Sequence, residues 1–214
     1  MTLHARVLEA LGTVYDPELD EPITTLGFVG SCVVTSEGDV AVRLRLPTPQ
    51  CAPNFAFLMA ADASRAVWRV AGVTSVDITL EDHYTGAEIN ATVNAGGSFG
   101  DAFPGETRGE LDALRALFQR KALLARQSRL LSEVPVRLGD LVGPDAERCR
   151  ALRSALGIDA SDDAPPFVTG DGVPVDPSDV RFRRMASLTA LSLETNGGMC
   201  RDLLRVRYGE VVAA

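Results

Sequence analysis

The stretch VVTSEGDVAVRLRLPTPQCAPNFAF, residues 33–57, contains a strand end, a turn, a second strand, a proline-stiffened loop and the start of a helix. Val40, Val42, Leu44 and Leu46 alternate with Ala41, Arg43 and Arg45, the period-two pattern of a half-buried strand. Upstream, FVGSCVVT (28–35) is apolar and β-branched, and SEGD (36–39) supplies a turn, so the two runs predict an antiparallel hairpin. After PTPQCA, Pro53 sits where a first-turn proline is tolerated, and Phe55, Leu58, Met59, Ala66, Val67 and Val70 mark a helix ending near Gly72. VTSVDITL (73–80) alternates again as a third strand. If it joins the second in parallel, the crossover is expected to be right-handed. In front of the hairpin, Leu3, Val7, Leu8, Leu11 and Val14 form a helical stripe with Thr2 as its cap.

These patterns predict an α+β domain over residues 1–95, in the order helix, strand, strand, helix, strand. NAGGSFGDAFPGE then reads as a Gly-rich junction, with a linker assigned to 96–109. Residues 110–214 read as a mainly helical extension of no assigned type. It comprises a long helix from Glu110 to Leu131, another around 145–156, the polar stretch DASDDAPP, a hairpin around GDG and a last helix near 198–206.

Composition narrows the function classes. Twenty-one Lys and Arg face 29 Asp and Glu, a formal charge of -8 over 214 residues. That balance argues against a general phosphate-backbone binder, so no nucleic-acid partner is expected. No apolar run reaches the roughly 18 residues that span a bilayer. The amphipathic start MTLHARVLEALG does not read as a signal peptide, so no membrane association and a cytoplasmic location are expected. Four scattered cysteines, Cys32, Cys51, Cys149 and Cys200, make neither a disulfide framework nor a C-x-x-C metal knuckle.

Cys51 stands between Pro47, Pro49 and Pro53 at the expected start of a helix. A thiol there faces the positive end of the helix dipole, which favours the nucleophilic and metal-binding thiolate. A small core residue, a nucleophile and a metal ligand all remain readings of it. DPELDEP (16–22) packs four carboxylates, Asp16, Glu18, Asp20 and Glu21, into a turn that matches no calcium loop; Asp16 reads as a helix stop or turn cap. Cys32 reads as a sheet residue, Cys149 needs no special role, and His83 lies where it can join a site at the strand ends. In ETNGGMCRDLLRVRY (194–208), Asn196-Gly197 reads as a turn that places Cys200 in the first turn of a helix. Arg201, Arg205 and Arg207 then form a solvated face or a docking surface for an acidic partner.

The order of these features resembles the iron–sulfur cluster assembly family. The residues carrying the likeness are DPELDEPITTLGFVG after a first helix, a T-x-x-C loop from Thr48 to Cys51, and VAGVTSVDITLED after an amphipathic helix. The family includes phenylacetate-degradation D proteins, bacterial iron–sulfur maturation proteins and eukaryotic cytosolic targeting factors. Many members carry Gly-Cys-Pro where this chain has Gln50-Cys51-Ala52-Pro53. The resemblance implies a small α+β domain whose Cys51 handles metal, with Asp16, Glu18 and Thr48 organising the loops and His83 as a neighbour. It also implies a transient iron or iron–sulfur cluster. The chain further resembles a longer subgroup associated with bacterial multicomponent di-iron monooxygenases.

The expected function is therefore an accessory maturation protein, not an enzyme. It would deliver iron or a cluster to a client metalloenzyme subunit, with a second ligand from Cys200, a dimer mate or the client. A metal-free assembly chaperone for the monooxygenase is the alternative. A third reading, a thiol enzyme with Cys51 as nucleophile and His83 as base, requires the two within hydrogen-bond reach.

Overall fold

A computed structural model describes residues 1–105, 111–133 and 135–209. The chain divides into two compact units: Met1–Leu111 together with the chain from Gly197 onward, and Asp112–Asn196.

The first unit is built as its sequence periodicity requires. Helix α1, Leu3–Leu11, starts at Thr2, whose hydroxyl accepts the Ala5 N–H at 3.2 Å, and buries Val7 and Leu11. Strands β1 (Val29–Val34) and β2 (Asp39–Arg45) form the antiparallel hairpin. The hairpin turn needs Gly38, whose positive φ of 94° and close approach to the Gly72 carbonyl leave no room for a Cβ. Helix α2 (Pro53–Trp68) crosses over to β3 (Ser75–Glu81), which lies parallel to β2 with Val42 opposite Ile78. The sheet order is β1-β2-β3. Phe28, Val42, Ile78, Ala63 and Val67 are among the residues sealed between sheet and helices.

Helix α3, Gly86–Asn94, was not legible, because only Ile89 and Val93 of its side chains reach the core. Its Asn90 and Asn94 do something a pattern of apolar residues cannot announce. The Asn90 amide accepts from Leu80 N–H at 2.7 Å and donates to its carbonyl at 3.2 Å. Asn94 does the same for Ile78 at 2.9 and 3.0 Å. One helix turn apart, the two amides stand in for a fourth strand and satisfy an edge that otherwise invites pairing. Asn94→Ala is expected to lower stability by about 1–3 kcal/mol, the cost of orphaned partly buried backbone groups. Urea unfolding with an unchanged slope and a lower midpoint would show this; an unmoved midpoint would refute it.

Two expectations need correction. The described part of the assigned linker 96–109 contributes two aromatics to the core: in α4 (Phe99–Ala102) Phe99 meets Phe57 edge-on at 5.5 Å, and Phe103 lies 4.8 Å from Phe99. Glycines flank these aromatics, and the glycines dominated the reading. Residues 106–109 lie outside the described residues. The boundary also differs, because the end of the chain belongs with the first unit.

The second unit contains α5 (Leu111–Leu130, entered at Asp112), the short 3-10 turn Leu138–Asp140, α6 (Pro144–Ala155) and the first part of α7 (Val180–Tyr208). Leu123, Leu138, Leu152, Phe167 and Phe182 form its core. The polar stretch is pinned by the fully buried Arg153, whose guanidinium donates to the Pro165 and Pro166 carbonyls at 2.8 and 2.7 Å. The hairpin expected around GDG is a single bridge between Val168 and Pro174. The last helix is far longer than expected and runs straight through Asn196-Gly197. Each mid-helix glycine costs about 1 kcal/mol, here offset by what lies beyond it: Leu204 is buried and Arg201 and Arg207 find partners. No described helix is long and apolar enough to cross a membrane.

Candidate functional site

The Cys51 loop joins β2 to α2 and is held from within and by the turn after β3. Within it, the Thr48 hydroxyl accepts the Gln50 N–H at 3.2 Å and lies 3.5 Å from the Cys51 sulfur. Ala52 caps α2 with no side-chain bond and Pro53 follows at the first helical position, so Cys51 sits just outside the helix start, half-buried.

The second support is the turn after β3. The Tyr84 N–H donates to the Pro49 carbonyl at 3.2 Å, and His83 Nε2 lies 2.7 Å from the Cys51 carbonyl oxygen. Thr85 N–H points at His83 Nδ1 from 3.3 Å. A backbone N–H can only donate, so Nδ1 carries the lone pair and Nε2–H is the donor to Cys51. Burial, opposed by that hydrogen bond, lowers the His83 pKa, with Arg207 adding in the same direction. His83 is thus a neutral ring with both nitrogens engaged. It holds the loop backbone and has no lone pair left for the thiol proton, so the Cys51–His83 nucleophile–base pair is not assembled.

The DPELDEP turn lies near Cys200. Asp16 Oδ1 accepts the Glu18 and Leu19 N–H groups, both at 2.8 Å, and its backbone N–H bonds the Glu21 carbonyl at 2.9 Å. The side chain therefore shapes the turn. Burial pushes its carboxyl up to about 6 against those two hydrogen bonds, and the Glu18 and Glu21 charges push the same way. Glu18 itself points its side chain to solvent.

Over these loops lies the end of α7, and this the sequence reading missed. Cys200 is half-buried against the core, and Leu204, one turn on, is fully buried. Cys200 is not in a first helical turn; it lies deep in the continuous α7. Its thiol is pushed up to about 11, first by burial, then by the neighbouring Asp16, Cys51 and Glu18, with Arg201 opposing. Arg201 reaches Glu21 at 2.6 Å. Arg207 donates to the Leu46 and Asp82 carbonyls at 3.2 and 2.7 Å, and the Tyr208 hydroxyl donates to Asp82 Oδ2 at 3.1 Å. Of the three arginines read as a solvated face or a docking surface for an acidic partner, only Arg205 is turned outward, paired with Asp202. The signal was present as Cys200, Leu204, Arg207 and Tyr208 on one helical face, but it becomes readable only once the helix is known to run through the glycines.

One end of the sheet therefore gathers Cys51, Cys200, Asp16, Thr48 and His83. Cys32 lies in β1 and Cys149 is buried in the second unit. Thiols are soft ligands suited to iron–sulfur clusters, which take four thiolates. Among the described residues, no three His, Cys, Asp or Glu side chains are placed together to hold a metal.

Comparison with known proteins gives this geometry a context. Residues 4–78, from α1 into β3, match the model of a family described as iron–sulfur cluster assembly protein. An uncharacterized protein of Methanocaldococcus jannaschii is 37% identical over 84 residues, 39% of this chain and 86% of that protein. The chain belongs to the iron–sulfur cluster assembly protein family. Proteins named iron–sulfur cluster carrier protein in Mycobacterium bovis and Mycobacterium tuberculosis are 37% identical over 79 residues, 37% of this chain. The chain spans only 20% of those carriers' length. No solved structure matches the chain. Cys51 lies inside the family segment, whereas His83 and Cys200 lie beyond it.

Proposed function

We propose that the protein carries iron or an iron–sulfur cluster transiently and passes it to a client metalloenzyme, without small-molecule turnover of its own. Cys51 is the thiolate that takes the cargo and Cys200 the second thiolate. The remaining ligands come from the client or a second copy of the chain. The observation that carries the reading is the placement of Cys51: a sulfur at a helix start inside the family segment, on a loop fixed by Thr48 and His83. Two thiols instead of four suit handover, because closed coordination opposes release. The client we favour, from the sequence resemblance, is a multicomponent di-iron monooxygenase, with delivery in the cytoplasm.

Anaerobic incubation with ferrous iron and sulfide, followed by absorbance and by iron and sulfide per chain, tests this. The wild type is expected to load, Cys51→Ser to fail, and Cys200→Ser to hold cargo at least tenfold more weakly, in line with the cost of disturbing metal surroundings. Loading of Cys51→Ser at the wild-type level would overturn the role of Cys51, and a wild type that does not load would favour a metal-free assembly chaperone that depends on the residues after Gly105.

A further inference from the structure

The last turns of α7 form a latch whose parts are too specific to be accidental packing. Arg207 bridges two backbone carbonyls, one at the end of β2 and one in the turn after β3, and the second of these belongs to Asp82. Asp82 adopts a left-handed backbone at φ 52°, uncommon for a residue other than glycine, and its carboxylate accepts the Tyr208 hydroxyl. Arg45 and Arg207 each place a guanidinium 5.0 Å from the Tyr208 ring. At the other end, Arg201 pairs with Glu21 of the acidic turn.

The segment that carries these groups begins at a weak point. Gly197 and Gly198 stand side by side in the middle of a 29-residue helix, and the boundary between the two compact units falls at Asn196–Gly197. At Gly197 a Cβ would come within 2.8 Å of Glu21 Oε1, the end of a side chain that can turn aside. At Gly198 a Cβ meets nothing within 4 Å. Adjacent glycines lower the cost of breaking a helix at that point.

We propose that residues 197–209 are a strap hinged at Gly197-Gly198. Docked, it lays Cys200 beside the Cys51 loop; undocked, it uncovers Cys51 and withdraws one thiol from the cargo. The inference rests on the reading of Cys51 as the cargo residue and adds how that site opens. Release is a ligand exchange with no redox change. The iron–sulfur bond to Cys200 breaks, a client thiolate takes its place, and the proton lost by the client thiol ends on Cys200.

Site-resolved alkylation of the metal-free full chain by N-ethylmaleimide, read by peptide mass spectrometry, tests the strap without any cluster. Removing the latch in Arg207→Gln/Tyr208→Phe is expected to raise the rates at Cys51 and Cys200 together by roughly tenfold, about the population change for losing a charged hydrogen bond. Cys32 and Cys149 should be unchanged. Tyr208→Phe alone, which removes one hydroxyl, should move the same two rates in the same direction by less. Gly198→Ala should slow both. Unchanged rates at Cys51 and Cys200 would overturn the proposal, as would a parallel rise at all four cysteines, which is general loosening. Because cargo loading is measured separately, a cargo-free Cys51 with a working strap and a loaded Cys51 without one are distinguishable results.

Discussion

Cys51→Ser is expected to abolish cargo transfer to a client while leaving the protein folded. The side chain is half-buried and its polar neighbour is the Thr48 hydroxyl, so a hydroxyl in place of the thiol should shift stability by no more than about 1 kcal/mol. Its effect on function should be far larger. Losing an outer-shell partner of a metal costs about 10–100-fold in affinity, and losing a sulfur ligand should exceed that. Client activity and iron content after co-expression with wild-type or Cys51→Ser protein would measure the loss, with circular dichroism confirming the fold. Full client activity with the variant would remove the thiol from the mechanism. Thr48→Val should fall between the two, because it keeps the sulfur but removes both the hydroxyl beside it and the acceptor for Gln50 N–H.

The second large effect is expected at Asp16, on stability and its pH dependence. The carboxyl is 7% exposed and its pKa rises from 3.8 to about 6 on folding. A raised folded-state value means the native state holds the proton more tightly than the unfolded chain. The contribution of this group is therefore complete below about pH 4 and is lost as pH rises through about 6. That rise corresponds to roughly 3 kcal/mol. Asp16→Asn keeps an oxygen to accept the Glu18 and Leu19 N–H groups and carries no charge to desolvate. It should be more stable than wild type by about 2–3 kcal/mol at pH 7.5 and should match it near pH 4. Asp16→Ala removes the acceptor and should cost about 1–3 kcal/mol near pH 4, where the carboxyl is neutral in both states. Urea midpoints of the three proteins across pH 4–8 would decide. A stability difference between Asp16→Asn and wild type that does not change with pH would refute the buried-charge account.

That a carboxylate stays charged where an amide would be more stable is understandable beside the site. Asp16 is one of the negative groups that keep the Cys200 thiol protonated. The variant that gains stability should then show Cys200 alkylated faster, a link between turn and thiol that the same mass-spectrometric assay would read.

The α+β domain was legible from residues alone because its periods are clean. Val40, Val42, Leu44 and Leu46 can bury one face only as a strand, and Val7 and Leu11 only as a helix. The Cys51 loop was legible for a related reason: three prolines and a strand-to-helix change of period leave the chain few conformations there. Asp16 was readable as a turn cap, since an acid at the end of a helical stripe before proline has a local job. All of these are properties of neighbours in sequence.

What only the tertiary structure decided depends on partners far along the chain. The Asn90 and Asn94 amides become an edge strand only when β3 is beside them, and Phe99 turns a glycine-rich stretch into core only by meeting Phe57. His83 faces a carbonyl instead of a thiol through the path of one turn. The longest reach is Cys200, some 150 residues from Cys51 in sequence. Asn196-Gly197 signals a turn locally, yet α7 passes through it, because Leu204 gains a buried site and Arg201 and Arg207 gain partners beyond it. The two glycines together cost about 2 kcal/mol; burying one leucine side chain contributes about 1.5–3 kcal/mol, and the bonds of Arg201 and Arg207 add to it. The second outweighs the first, but only a folded chain brings the leucine to its site.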